Sequence, residues 1–262
     1  MGMRNQHLFH KFGIKADVPD QKVIALAGNP NTGKSTVFNT LTGLHQHTGN
    51  WHGKTVGYAQ GSFTFNNESF LLIDLPGTYS LLPNSVEEQV ARDFICFGKP
   101  DLTVVVVDAT ALERHLNLAF QVMEITSQAL LCVNLMDEAK KKGVEVDLVA
   151  LEKKLGIPVV GTSARNGDGL NKLQQGIYDI TSGFINPFPA SIRYSEPLEK
   201  KIAELEFYLK PLLHGMINPR WVALRLLDGD EKILQEIDAW FSDPFSLSFQ
   251  GGKGVAAKCL HS

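Results

Sequence analysis

Short, wholly apolar runs punctuate this chain, and polar, helix-spaced segments fill the intervals. Val23–Ala27, Phe70–Ile73, Leu102–Val107 (broken only by Thr103), Leu130–Val133 and Val159–Val160 are such runs, each followed at once by Gly, Asp or Asn. Runs this short and this apolar predict strands of a parallel sheet buried on both faces. Gly61–Phe65 and Ser69–Ile73, joined across Asn66-Asn67, predict a hairpin that adds one antiparallel edge strand. Thr36–Leu41, Leu151–Leu155 with Gly156 as C-cap, and Leu170–Thr181 read as helices. Leu112, Leu116, Ala119, Phe120 and Met123 recur at helical spacing, a stripe assigned to the core rather than to a site. The expectation is an α/β domain over residues 21–183 with a mostly parallel six-stranded sheet.

After Ser182-Gly183 the pattern changes. Residues 184–189, with Asn186-Pro187-Phe188-Pro189, predict a linker. Leu198, Ile202, Leu205 and Leu209 then fall on one helical face, with Glu199, Lys200, Lys201 and Glu204 outward. Trp221–Leu227 and Lys232–Phe241 are shorter amphipathic stretches, so a small all-helical domain is expected over residues 190–241. Residues 1–20 read as a mobile leader, whose Leu8-Phe9 and Phe12 are either a docking patch or nothing. Residues 242–262, with Gly251-Gly252 and Gly254, break the periodicity and read as an irregular tail.

Composition narrows the class. The 262 residues are 44% hydrophobic and 20% charged, which suits one α/β domain with a small appendage. A formal charge of −3, from 25 basic and 28 acidic residues, argues against a nucleic-acid partner. Cys96, Cys132 and Cys259 are odd in number and widely spaced, and Cys132 lies in an expected core strand. A buried thiol in a reducing cytoplasm fits that usage better than a disulfide framework. No apolar stretch approaches the roughly twenty residues of a membrane span, and the N-terminus lacks the apolar core of a signal peptide.

One motif carries the chemistry. Gly28-Asn29-Pro30-Asn31-Thr32-Gly33-Lys34-Ser35, followed by Thr36, matches G-x-x-x-x-G-K-[ST] between a strand and a helix. Glycines let the backbone wrap a polyphosphate, whose charge meets successive amides and the helix N-terminus. Lys34 is expected to reach the β- and γ-phosphates, and the Ser35 hydroxyl to hold Mg²⁺. Asp74-Leu75-Pro76-Gly77 ends a later strand, placing Asp74 to hold Mg²⁺ through water and the Gly77 amide to approach a γ-phosphate. Asn134-Leu135-Met136-Asp137 ends another strand. The Asp137 carboxylate can accept from both N1 and N2 of guanine, a donor pair that adenine lacks. Ser163-Ala164-Arg165 follows the last strand, with the Ala164 amide expected at the base carbonyl. Four elements in this order, each at a strand C-terminus, predict a guanine-nucleotide site for GTP and GDP.

These residues resemble the translation-factor-like class of small GTPases, with a Ras-like P-loop fold. More closely they resemble the cytosolic N-terminal GTPase domain of FeoB-type ferrous iron transport proteins. Gly28–Asn31, Gly49-Asn50-Trp51, Asp74–Leu81 and Asn134–Asp137 carry the closer match, with a weaker helical likeness around Trp221–Asp230. The resemblance covers roughly residues 21–241. It implies a GTP-hydrolysing switch for ferrous iron uptake at the inner face of the bacterial cytoplasmic membrane. It implies a transmembrane permease region outside this chain, and leaves self-association into a homo-oligomer open. The family's helical domain continues where this chain has residues 242–262, so the tail is expected to be truncated or altered. In that family an asparagine at the place of Asn31, with carbonyls from a segment such as Gly49–Trp51, holds K⁺ against the phosphates. The alternative is that Asn31 only stabilises the turn of the loop.

Leu44–Val56 is polar and Gly-rich with a single aromatic, as expected of a switch segment ordered by γ-phosphate and Mg²⁺. Gly53, Lys54 and Thr55 are expected beside the nucleotide. Thr55 is the first choice for the metal-binding hydroxyl, a choice the resemblance favours, and Thr48 is the second. His45, His47 and His52 fit no standard ligand spacing, so a solvated loop is preferred to an iron or zinc site. Thr78 stands where Ras-like enzymes place a water-orienting glutamine, and the switch segment holds no arginine. Slow hydrolysis helped by an added cation is expected, with Asn31, Lys34, Thr55 and Gly77 as the catalytic set. Leu135 stands where many GTPases pack a lysine over the base, which predicts looser binding and faster GDP release. Two competing readings are a GTPase acting on tRNA or ribosomes, which calls for a basic face, and a non-hydrolysing recruitment module.

Overall fold

The structure is a computed structural model that describes residues 12–14, 18, 21–43, 46–51, 54–82 and 84–242. Its strands are β1 (Lys22–Gly28), β2 (Gln46–Asn50), β3 (Gly57–Phe65), β4 (Glu68–Asp74), β5 (Leu102–Asp108), β6 (Ala129–Asn134) and β7 (Val159–Gly161). They form one sheet in the order β2-β3-β4-β1-β5-β6-β7. The run from β4 to β7 is parallel, while β3 and β2 are antiparallel additions. The sheet has seven strands, one more than expected, and the extra one is β2, drawn from the segment read as a loop. The correction has a physical cause. Without β2, the outer edge of β3 would present a row of unpaired amides and carbonyls. Gln46–Asn50 covers it, with Gln46 opposite Gly61 and Asn50 opposite Gly57. Asn66 and Asn67 make the expected hairpin turn, both in the left-handed region at φ 48° and 63°.

The helices are α1 (Lys34–Thr42), α2 (Val86–Asp93), α3 (Leu112–Ile125), α4 (Met136–Lys141), α5 (Leu148–Leu155), α6 (Leu170–Thr181), α7 (Glu196–Leu212), α8 (Pro219–Leu227) and α9 (Glu231–Ser242). Ser85 caps α2 by accepting the Glu88 amide, and α2 runs on into a π-helical turn, Phe94–Gly98. Alternation along the strands divides the core into two layers. Val23, Ala25, Val105, Val107, Leu131 and Val133 face α2 and α3. Ile24, Leu26, Val104, Val106, Leu130 and Cys132 face α1 and α6.

The first layer does not stop at the sheet. Leu213, Ile217, Trp221, Ile233, Ile237 and Trp240 of the C-terminal segment belong to the same buried cluster. The linker is tied down too, because the Phe188 and Ala190 amides donate to the Gly156 and Leu155 carbonyls at the end of α5. Phe12 and Ile14, from the stretch read as a leader, are likewise buried in this layer, the Phe12 ring lying against Trp51 and Phe94. Leu8-Phe9 and the tail from residue 243, with Cys259, lie outside the described residues. Cys96 and Cys132 are free and buried, and burial pushes the Cys132 thiol up to about 12. Among the described residues no helix is long and apolar enough to cross a membrane.

Candidate functional site

Parallel strands share a direction, so the loops after β1, β4, β6 and β7 converge on one edge of the sheet. The registers Leu26↔Asp74 and Asp108↔Asn134 bring those ends level. The loop after β1 is shaped by close approach. A Cβ on Gly28 would lie 2.7 Å from the Val106 carbonyl oxygen. Thr32 Oγ1 donates to the Asn29 carbonyl at 2.9 Å, and Asn31 and Gly33 turn the chain through the left-handed region at φ 67° and 77°. Asn31 stands exposed on this turn, while Asn29 and Thr32 are buried. The loop thereby runs into the N-terminus of α1, where amides without helical partners collect.

Lys34 opens α1, and its ammonium reaches the Asp74 carboxylate and, at 2.6 Å, the Leu75 carbonyl. Burial pushes the Asp74 carboxyl up, and the Lys34 ammonium opposes that push. Lys34 and Ser35 form the floor of a cavity of about 650 Å³ walled by Thr48, Gly49, Asn50, Tyr58 and the Asp74–Gly77 turn. Thr78 is buried, its amide donating to the Gly28 carbonyl at 3.2 Å, and its hydroxyl has no hydrogen-bond partner among the described residues.

Asn134 joins the two halves of the site. Its Nδ2 donates to the Thr32 carbonyl at 3.0 Å, and its Oδ1 accepts from Thr162 Oγ1 and from the Ala164 amide, each at 3.1 Å. The Ala164 amide, expected at the base carbonyl, here donates to this buried carboxamide. Asn134 thereby bridges the loops after β1 and β7. Leu135, at φ 62°, opens α4, and the Met136 amide donates to the Thr162 carbonyl at 3.1 Å. The Asp137 amide donates to Ser163 Oγ at 3.1 Å. The Asp137 carboxylate is half-buried, with Lys141 at 3.9 Å, and Arg165 is exposed.

The switch segment is distributed differently. Thr48 lines the cavity, whereas Thr55 stands exposed outside its lining. Gly49 lines it as well, but the Trp51 side chain is buried in the core and its carbonyl accepts the Lys54 amide at 2.9 Å. Neither Asn31 nor Trp51 is among the residues that line the cavity. Lys54 Nζ lies 3.8 Å from Asp93. Gly53, His45 and His52 fall outside the described residues, and His47 lies on β2. Sequence reasoning assigned no site role to Thr162, Asn50 and Tyr58, which reach the site only once the strands are paired.

A sequence model described as ferrous iron transport protein B matches residues 22–177, and one described as the FeoB cytosolic helical domain matches 194–248. The chain belongs to the ferrous iron transport protein B family. The Fe(2+) transporter FeoB of Salmonella typhimurium is 38% identical over 213 residues, 79% of this chain. The chain spans 27% of that relative's length. The cytosolic domain of T. maritima FeoB in a GDP form superposes with a TM-score of 0.76 at 36% identity, covering 90% of this chain and 88% of that one. The FeoB G domain of Methanococcus jannaschii is 48% identical with a TM-score of 0.55, covering 62% of this chain and 98% of that domain. The phosphate loop, the Asp74–Gly77 turn and the Asn134–Asp137 turn thus belong to a FeoB G domain, and the tRNA or ribosome reading is not favoured.

Proposed function

We propose that this part of a FeoB-family protein binds GTP, hydrolyses it slowly, and serves as the switch that governs ferrous iron uptake. The transmembrane permease region lies outside this chain in that reading, and the domain works at the inner face of the membrane. The observation that supports it best is the Asn134 carboxamide, which ties the phosphate loop at Thr32 to the base loop at Thr162 and Ala164. One buried side chain holds apart, at fixed spacing, the parts that would grip the two ends of a guanine nucleotide.

In this reading the amides of Asn29 and Asn31–Lys34 and the Lys34 ammonium hold the phosphates, exchanging part of the Lys34–Asp74 pairing for phosphate oxygens. Asp137 reads the N1 and N2 edge of guanine. The Ser35 hydroxyl and Asp74 carboxylate are an oxygen donor pair that fits Mg²⁺, which supplies charge neutralisation at the β- and γ-phosphates when bound. Thr55 would join that set only after the switch segment rearranges from its present exposed place. Asn31 and the Gly49 and Trp51 carbonyls offer neutral oxygens, the donor chemistry suited to K⁺, and the Trp51 carbonyl keeps a second lone pair beside the one given to Lys54. Thr78 is buried and the switch segment has no arginine, so an added cation has a place to act.

The C-terminal helices are proposed to tune GDP release. Arg92 of α2 is fully buried and pairs with Asp93 and with Glu236 of α9. Asp93 in turn faces Lys54 of the switch segment. A charged chain thus runs from the switch segment to α9.

The test is GTP turnover titrated with KCl against NaCl at matched ionic strength, for native and Asn31→Ala protein, beside a GDP-binding control. Faster turnover in KCl that Asn31→Ala abolishes, with GDP binding kept, is the expected result. Identical titration curves would make Asn31 a turn residue and remove the potassium mechanism. No turnover at all with tight GTP binding would favour the recruitment-module reading.

A further inference from the structure

The family match begins at residue 22, yet two side chains that precede it are built into the core. Phe12 is 7% exposed and Ile14 is 2% exposed. The Phe12 ring meets Trp51 edge-on, with centroids 5.9 Å apart, and Phe94 of the π-helical turn at 5.2 Å. Trp51 completes the cluster, 5.3 Å from Phe94 and 5.0 Å from Tyr58. A second link runs through the backbone, where the Tyr58 hydroxyl donates to the Gly13 carbonyl at 3.1 Å.

Both links end at the wall of the nucleotide cavity. Trp51 follows β2 directly, and Tyr58 on β3 pairs with Gly49 on β2. The Tyr58 ring covers Gly49 so closely that a Cβ there would lie 3.0 Å from it. Thr48, Gly49, Asn50 and Tyr58 all line the cavity. β2 reads Gln46-His47-Thr48-Gly49-Asn50, with no apolar side chain of its own to hold it on the sheet. Its anchor is the Trp51 ring, and Phe12 fills one side of that ring's socket.

We infer that Phe12, Gly13 and Ile14 form an intramolecular latch, in which Phe12 is a positioning residue that holds the switch segment in its edge-strand pairing. The latch opposes any rearrangement that lifts Trp51 and frees Thr48 and Thr55 toward a γ-phosphate. By linkage, a nucleotide that draws the switch segment away must loosen Phe12, and removing Phe12 must ease that rearrangement. The connection to nucleotide state rests on the function proposed above, but the hold of Phe12 on β2 does not.

Hydrogen exchange on the full chain tests both. Phe12→Ala should speed amide exchange in residues 46–51 and 57–61 about tenfold, leaving β5 and β6 unchanged, as expected of a local opening. Phe12→Leu, which restores most of the volume, should return most of that protection. In native protein, the non-hydrolysable analogue GMPPNP should raise exchange around residues 12–14 while GDP does not. That arm holds even if Phe12→Ala fails to fold. Unchanged exchange at 46–51, or an equal rise in β5 and β6, would mean Phe12 only adds global stability and would overturn the latch. Failure to bind guanine nucleotide would instead sink the proposed function and leave the first arm standing.

Discussion

Replacing Asn134 with alanine removes three hydrogen bonds at once, to the Thr32 carbonyl, Thr162 Oγ1 and the Ala164 amide, at 3.0, 3.1 and 3.1 Å. All sit in buried surroundings, where a net contribution of about 1 kcal/mol each is typical and the stranded partners have no water to turn to. The loss should therefore come to about 3 kcal/mol, lowering the melting temperature by roughly 6–12 °C in a domain of this size. Because the severed groups belong to the phosphate loop and the base loop, GDP affinity should fall roughly tenfold or more, each ~1.4 kcal/mol being one decade. Gly33→Ala supplies the sharper half of the experiment. At φ 77° an alanine costs about 1–2 kcal/mol, and its Cβ would stand 2.4 Å from Asn134 Nδ2. In an Asn134→Ala background that collision is gone and only the backbone strain is left. The double variant should thus be more stable than the sum of the singles by about 1 kcal/mol. Thermal unfolding and fluorescent-GDP titration of the four proteins measure this. Strict additivity, or an Asn134→Ala variant that binds GDP as the native chain does, would refute the bridging role.

Three further outcomes follow from the same geometry. Asp137→Asn should weaken GTP binding and relax it toward xanthosine triphosphate, which carries a carbonyl where guanine has its amino group; equal ATP and GTP affinity in the native chain would contradict this. Arg92→Leu leaves Asp93, Asp230 and Glu236 clustered without their buried cation. It should cost about 3–5 kcal/mol and speed GDP release, so an unchanged release rate would separate α9 from the switch. The hydrogen bonds from Arg220, and then the Tyr194 amide, hold the Glu199 carboxyl down from 4.5 to about 2. Its contribution is complete above 4.5 and is lost as pH falls toward 2. Arg220→Ala should therefore raise the acid-unfolding midpoint of the α7–α8 pair, which circular dichroism across that window would detect.

Much of this molecule was legible in its residues. The phosphate loop, the Asp74–Gly77 turn and the Asn134–Asp137 turn each announce themselves within a handful of positions, because the chemistry of each is set by local backbone shape. The helices of the C-terminal segment were equally readable, since apolar spacing alone specifies which face must be covered. Tertiary structure decided the rest. Thr32, Asn134 and the Thr162–Ala164 segment are far apart along the chain, and only the parallel registers of β1, β5, β6 and β7 bring them to one carboxamide. β2 has no apolar pattern and becomes a strand because β3 offers it an unpaired edge. Phe12, read as part of a mobile leader, is buried because Trp51 and Phe94 leave a ring-sized socket. Arg92 looks like one more helix-surface charge until α9 packs over it. Local propensity and motif chemistry act over a few residues. Burial, edge pairing and charge neutralisation depend on what the folded chain brings alongside.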